Sequence, residues 1–285
     1  MISAIICTYN RPKLVCQLVD QLVGLNFERL EVIVVDSSDQ GNEKLIRSNL
    51  VNYIRSSRKS QPYQRFLGAE NANNEILCFF DDDVKIVDDN LLKDIQEAFE
   101  DDEIVGVSAG IKYESGVAMN RKGLSKELKG SGKISWLGRT TGLPTNNREV
   151  QYFPGPIMAF RKQVALKLFD EYLFSIFERR IAMGEDKAIS MRASKYGKLY
   201  FLGKKFYLHH PPEPSTYYSD NESFIAKVVF SRLWLSKIYA EVHNKLIMQA
   251  YLLNVLYVLK TLVNYSSNKK KLKGVFKGIL WQIKY

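Results

Sequence analysis

Three stretches decide the fold: Ser3–Arg11 reads SAIICTYNR, Leu30–Ser38 reads LEVIVVDSS, and Glu75–Asp83 reads EILCFFDDD. Each is a short apolar run that stops abruptly at polar residues. The runs carry no in/out alternation, so they read as strands covered on both faces, the signature of a parallel sheet between helix layers. Between the first two lie Leu14, Val15, Leu18, Val19, Leu22 and Val23, spaced for a helix with one buried stripe, with Asn10 as its expected N-cap and Pro12 in its first turn. Working outward, Val51–Ile54 reads as a strand, Pro62–Asn73 as a helix, Leu91–Phe99 as a helix and Ile104–Ile111 as a strand. Alternation with short connections gives an α/β class, mostly parallel, with helices on both faces.

Ligands of such sheets bind beyond the carboxyl ends of the strands. Three of those ends are polar here: Thr8-Tyr9-Asn10-Arg11, Asp36-Ser37-Ser38 and Asp81-Asp82-Asp83. They are expected to converge on one edge. Adjacent carboxylates repel one another. They are tolerated where a divalent cation bridges them to a phosphate, since Mg²⁺ or Mn²⁺ takes few protein carboxylates and completes its shell with phosphate and water oxygens. Capping of the next element by Asp82 or Asp83 is the other reading. Thr8–Arg11 offers hydroxyls, an amide, an aromatic face and a fixed cation, an inventory suited to a nucleobase and a phosphate, or else to a cap and turn. Asp36 could accept from a base N–H or a ribose hydroxyl, or close an Asx-turn. No GxGxxG follows the first strand and no GxxxxGK[ST] exists, which excludes a Rossmann dehydrogenase and a P-loop NTPase.

The chain has 285 residues, enough for one large domain or a domain with an extension. Three cysteines without a CxxC pair argue against a disulfide scaffold or a cysteine zinc site, and fit a reducing compartment. No secretory signal is read at the N-terminus, so a cytoplasmic location is expected. Glu114–Asn147 is rich in Gly, Ser, Lys, Arg and Asn and reads as a long loop. Helices are expected at Lys162–Phe169 and Asp186–Tyr196, a strand at Lys198–Leu202, and a largely helical Phe224–Asn264.

TYNRP, VIVVDSSD and FFDDDV, followed by GPIMAFRKQV and MGEDKAISMRASKYG, resemble the family-2 glycosyltransferases. These are inverting, nucleotide-sugar-dependent enzymes of the GT-A fold. The resemblance runs over roughly residues 3–210. It implies that Thr8, Tyr9, Asn10 and Arg11 line the base and ribose pocket and that Asp36 reads the base. Arg65 and Gly68, in QRFLGAEN, would belong to the helix passing the nucleotide. Asp81 and Asp82 would hold ribose or sugar, and Asp83 the metal, Mn²⁺ or Mg²⁺, with His209 or His210 as a late metal- or phosphate-contacting position. Asp186 would be the catalytic base and Glu185 its alternative. A UDP-sugar is the expected donor, and a glycan or lipid-linked glycan of bacterial surface polysaccharide assembly the expected acceptor. The expected organisation is a nucleotide-sugar-binding half (1–110), an acceptor-binding and catalytic half (111–215) and a helical basic extension (216–285).

Net charge is +10. Asp186–Tyr285 holds 17 Lys and Arg against 5 Asp and Glu, so the whole excess lies in the last third. That asymmetry suits an anionic partner. Leu246–Val263 approaches membrane-span length, but Gln249, Asn254 and Lys260 interrupt it. It reads as a helix docked on the domain, as an interfacial helix, or as a span. The Lys269–Lys277 cluster, interleaved with Val275, Phe276, Ile279, Leu280 and Trp281, suits an anionic membrane surface and a peripheral association. A nucleic-acid-binding module lacks a stacking platform and would meet repulsion at the acidic strand end, so no nucleic-acid partner is expected. A sugar-nucleotide-binding protein without turnover is the other alternative.

Overall fold

The computed structural model describes residues 1–42, 51–113, 132–134, 142–144, 146–209, 221–243, 247–265 and 268–285, and gives no side-chain description for 111–113, 204–209, 221, 247–254 and 257. Most of Glu114–Asn147, and His210, therefore lie outside the described residues. In chain order the elements are β1 (Ile2–Thr8), α1 (Pro12–Gly24), β2 (Leu30–Asp36), β3 (Val51–Arg55), α2 (Gln61–Asn71), β4 (Ile76–Asp81), β5 (Val84–Ile86), α3 (Leu91–Ala98) and β6 (Ile104–Tyr113). They continue with β7 (Arg148–Val150), β8 (Ile157–Arg161), α4 (Lys162–Ala165), α5 (Glu171–Glu178), α6 (Glu185–Ala193), β9 (Lys198–His209), α7 (Asn221–Val242), α8 (Ile247–Asn264) and α9 (Lys269–Lys284).

The strands form one sheet in the order β3-β2-β1-β4-β8-β6-β9-β5, with β7 on β9. The first four run parallel. β8 enters antiparallel to both β4 and β6, and β6 and β9 are parallel. The sheet is therefore mixed around a parallel half. Its core follows from the apolar runs. Ile5, Ile33, Val35, Leu77 and Phe79 join one buried cluster, while Ala4, Ile6, Val34, Cys78 and Phe80 join a second. Alternate residues of each strand feed opposite layers, which is why no polar alternation survives in the sequence.

Register fixes the site. Thr8 pairs with Asp36 across β1 and β2, Asp36 with Arg55 across β2 and β3, and Cys7 with Asp81 across β1 and β4. The three polar strand ends thus share one edge. Asn10 does not cap α1: it adopts a left-handed backbone (φ 55°), the N-cap position falls to Arg11 without a side-chain bond, and Asn10 turns instead toward Asp39. The late strand runs past Leu202 to His209. The helical stretch expected at Phe224–Asn264 is two helices, α7 and α8, with 244–246 between them outside the described residues.

Candidate active site

Asp82 and Asp83 are both buried at the turn after β4. Both lean on one guanidinium nitrogen: Arg11 Nη1 lies 2.9 Å from Asp82 Oδ1 and 3.1 Å from Asp83 Oδ2. The Thr8 hydroxyl donates to the other oxygen of Asp82 at 2.8 Å. Burial lifts Asp82 to about 6 against the opposing pull of Arg11 and Thr8. Two carboxylates converging on a single cation position are the donor chemistry a divalent ion uses, with remaining places left to water and phosphate oxygens. The residues present therefore fit Mg²⁺ or Mn²⁺, although among the described residues no group of three or more His, Cys, Asp and Glu is arranged to hold a metal. His209 pairs by backbone with Val84, the residue after Asp83, so it reaches the same end of the sheet.

Asp81 turns the other way, toward α2. Gln61 donates to it at 2.8 Å and Arg65 at 2.8 Å. The same Arg65 lies 3.3 Å from Glu185 at the start of α6. Arg65 is 0% exposed, so it joins two parts of the candidate site from inside. Burial raises Glu185 to about 7, opposed by Arg65 and reinforced by Asp186 and Asp81. Gly68 is likewise a packing residue: a Cβ there would stand 2.4 Å from Ile5 Cγ2, so the glycine lets α2 lie against β1.

Asp186 follows Glu185 in the first turn of α6, after Gly184 in the left-handed conformation (φ 85°). A Cβ placed on Gly155 would stand 3.3 Å from Asp186 Cβ and 3.5 Å from its Oδ2. The next residue, Pro156, accepts the backbone N–H of Asp81 at 3.0 Å. Asp186 is thereby held across one small-residue stretch from the acidic strand end. The Ser231 hydroxyl of α7 accepts from the Met183 N–H at 2.7 Å, which fixes the approach to this turn from behind.

Asp36 is 0% exposed. Its carboxylate accepts from the N–H of Ser38 (2.7 Å), the N–H and side-chain amide of Asn42 (both 3.0 Å) and the Tyr53 hydroxyl (2.5 Å), with Arg55 at 3.4 Å. Burial alone would raise its pKa; the hydrogen bonds from Ser38, Tyr53 and Asn42 outweigh it and lower the value. Asp36 thereby ties the turn after β2 to β3. The rim is made by Tyr9 and Asn10. Asn10 and Asp39 exchange two bonds (2.8 and 3.0 Å), and the Tyr9 ring lies under Lys59 (5.3 Å) and Arg180 (5.6 Å). Gln64 escaped the sequence reading. Its buried amide donates to the carbonyls of Thr8 (2.9 Å) and Val35 (2.7 Å), pinning two strand ends together.

The family model described as Glycosyl transferase family 2 matches residues 3–169, more than half of the chain, and covers all three strand-end clusters. The chain belongs to glycosyl transferase family 2. No curated protein matches it in sequence. Among solved structures, the mannosyltransferase PcManGT from Pyrobaculum calidifontis, in complex with GDP-Man and Mn²⁺, is similar at 13% identity and a TM-score of 0.60, over 99% of this chain and 86% of that one. S. aureus TarS 1–349 in complex with UDP-GlcNAc is similar at 18% identity and a TM-score of 0.56, over 99% and 92%. GalNAc-T7 with UDP, GalNAc and Mn²⁺ is similar at 14% identity and a TM-score of 0.56, over 88% and 55%. The fold is the GT-A fold, and the protein is a glycosyltransferase.

Proposed function

We propose that this glycosyltransferase moves a sugar from a nucleotide-sugar donor, a UDP-sugar, to an acceptor hydroxyl with inversion at the anomeric carbon. One observation carries the reading. The turn holding Asp186 is packed through Gly155 and Pro156 against the strand end holding Asp81, Asp82 and Asp83. A carboxylate able to accept a proton thus stands beside carboxylates able to hold a cationic group on a diphosphate. Asp186 takes the proton from the acceptor hydroxyl. The hydroxyl oxygen attacks the anomeric carbon in line, and the bond to the diphosphate oxygen breaks, its electron pair leaving with the nucleotide. A positioned carboxylate base contributes about 10²–10⁴-fold. Asp83, with Asp82, would hold Mn²⁺ or Mg²⁺, and His209 or His210 is the further ligand position the resemblance offers; the ion supplies charge neutralisation on the leaving diphosphate. Arg11, now paired with both carboxylates, is placed to turn to that diphosphate instead. Tyr9 and Asn10 present an aromatic face and an amide at the rim for the nucleoside. The Mn²⁺-bound and nucleotide-sugar-bound structural neighbours support this assignment of parts.

The acceptor is a glycan or lipid-linked glycan of surface polysaccharide or glycolipid assembly, met from the cytoplasm at the membrane face. The deciding experiment is calorimetry and UDP release with a panel of nucleotide sugars, with and without Mn²⁺. Asp186→Asn is expected to bind donor like the parent and to lose roughly 10² or more in turnover. Turnover near that of the parent removes Asp186 as base. Donor binding without any UDP release would instead make the protein a sugar-nucleotide binder.

A further inference from the structure

The last two helices carry apolar faces that no other described residue covers. On α8, Val258, Thr261, Leu262 and Tyr265 turn inward, whereas Val255, Leu256, Leu259 and Val263 are exposed, Val263 by 73%. At about 100° per residue the exposed four fill one sector of roughly 100°, with Lys260 and Asn264 beyond it. On α9, Gly274, Val275 and Gly278 pack inward, and a Cβ on Gly274 or Gly278 would press on the α7 backbone, at 2.5 and 2.6 Å. Its outer face shows Phe276 (55% exposed), Leu280 (62%) and Ile283 (79%), with exposed Lys269 on the same face near the helix start and exposed Lys270, Lys273 and Lys284 in the adjoining sector.

Charge selects the partner. Ile247–Tyr285 contains seven lysines and no Asp or Glu. Lys269, Lys270 and Lys271 occupy the first turn of α9, where the helix dipole disfavours cations, and no acidic residue stands there to offset them. A second copy docked on this face would bring lysine clusters together. Anions relieve both costs. No described helix is long and apolar enough to cross a membrane, so the face suits an element lying on a bilayer with its apolar residues at the headgroup boundary.

The geometry points to the exposed faces of α8 and α9 as a docking surface for an acidic phospholipid bilayer, with Phe276, Leu280 and Ile283 as the inserted wedge and Lys269, Lys270, Lys273 and Lys284 on the headgroups. The end of α9 also reaches the catalytic edge. The Tyr285 ring lies 4.8 Å from the guanidinium of Arg179, and the next residue, Arg180, covers Tyr9 at the rim. A bilayer under α9 therefore brings its headgroups to the rim of the cleft. That second step rests on the transferase reading. Docking itself does not, and it is measured without turnover so that the two fail separately.

The test is co-sedimentation of the full chain, without nucleotide, with vesicles of equal parts phosphatidylcholine and phosphatidylglycerol, or of phosphatidylcholine alone. Binding is expected only to the acidic vesicles. Neutralising Lys269, Lys270 and Lys273 to Gln is expected to weaken it on the order of a hundredfold. The pair Phe276→Glu and Leu280→Glu is expected to weaken it at least about tenfold. Circular dichroism on each variant establishes that the helices persist. These positions face outward, so the parent fold is expected throughout. Equal binding to both vesicle types, no binding to either, or unchanged binding by the variants overturns the proposal. So does a dimer in sedimentation velocity that the Glu pair dissolves, which would make a second copy the occupant.

Discussion

Arg65 gives the sharpest quantitative test. Its guanidinium is fully buried between Asp81 at 2.8 Å and Glu185 at 3.3 Å. At an effective dielectric near 20 each contact is worth about 5 kcal/mol gross, most of it cancelled by the cost of burying the charges. Replacing the arginine by the similarly sized Met leaves two carboxylates without their cation, and breaking a buried pair in this way costs about 3–5 kcal/mol. In a chain of this size that is roughly 10 °C in Tm. The loss also depends on pH. Glu185 is raised in the folded protein to about 7 from an ordinary 4.5. A raised carboxyl favours the folded state fully below about 4.5, and that advantage drains away as pH rises to about 7. At pH 5 Glu185 is already protonated, and Arg65→Met forfeits mainly the Asp81 contact. At pH 8 the parent has ionised Glu185 one unit above its pKa, while the variant holds it neutral, which adds about 1.4 kcal/mol to the cost. Urea unfolding of parent and variant at the two pH values reads both quantities. A total cost below about 1 kcal/mol, or one identical at pH 5 and pH 8, refutes the shared-cation account of Arg65.

Other outcomes follow from the same geometry. Glu185→Gln removes the group that titrates near 7, so the variant is expected to lose less stability than the parent between pH 5 and pH 8; parallel pH profiles of Tm would contradict this. Asp83→Ala is expected to abolish the Mn²⁺-dependent part of nucleotide-sugar binding, and unchanged calorimetric affinity with and without Mn²⁺ would remove Asp83 as a ligand. Gly68→Ala drives a methyl to 2.4 Å from Ile5 Cγ2 and is expected to destabilise by about 1–3 kcal/mol, measured by denaturant midpoint.

Much of this was legible from periodicity. The continuous apolar runs of β1, β2 and β4 announced a covered sheet, and the residues that break them announced the site edge, because a parallel register aligns strand ends by necessity. Where each polar side chain points was less legible. The burial of Asp36 and Arg65 was not legible, because it depends on partners, Tyr53 and Asn42 for one and Glu185 for the other, that only the fold brings against them. Gln64 left no periodic signal; its role depends on two backbone carbonyls that only the tertiary fold brings within reach. β8 was missed as an antiparallel insertion because GPIMAFRKQV gives no sign of strand direction. α5 was missed although Asp170 stands at its N-cap and accepts from the Leu173 N–H.

Pairing one internal arginine with a carboxylate 120 residues further along the chain has a consequence for engineering. Recombination that swaps the later segment, with its own residue at position 185, onto a foreign β4–α2 unit will strand a charge unless position 65 travels with it. Exchanges of the later segment should therefore move both positions as a linked pair, or neutralise both.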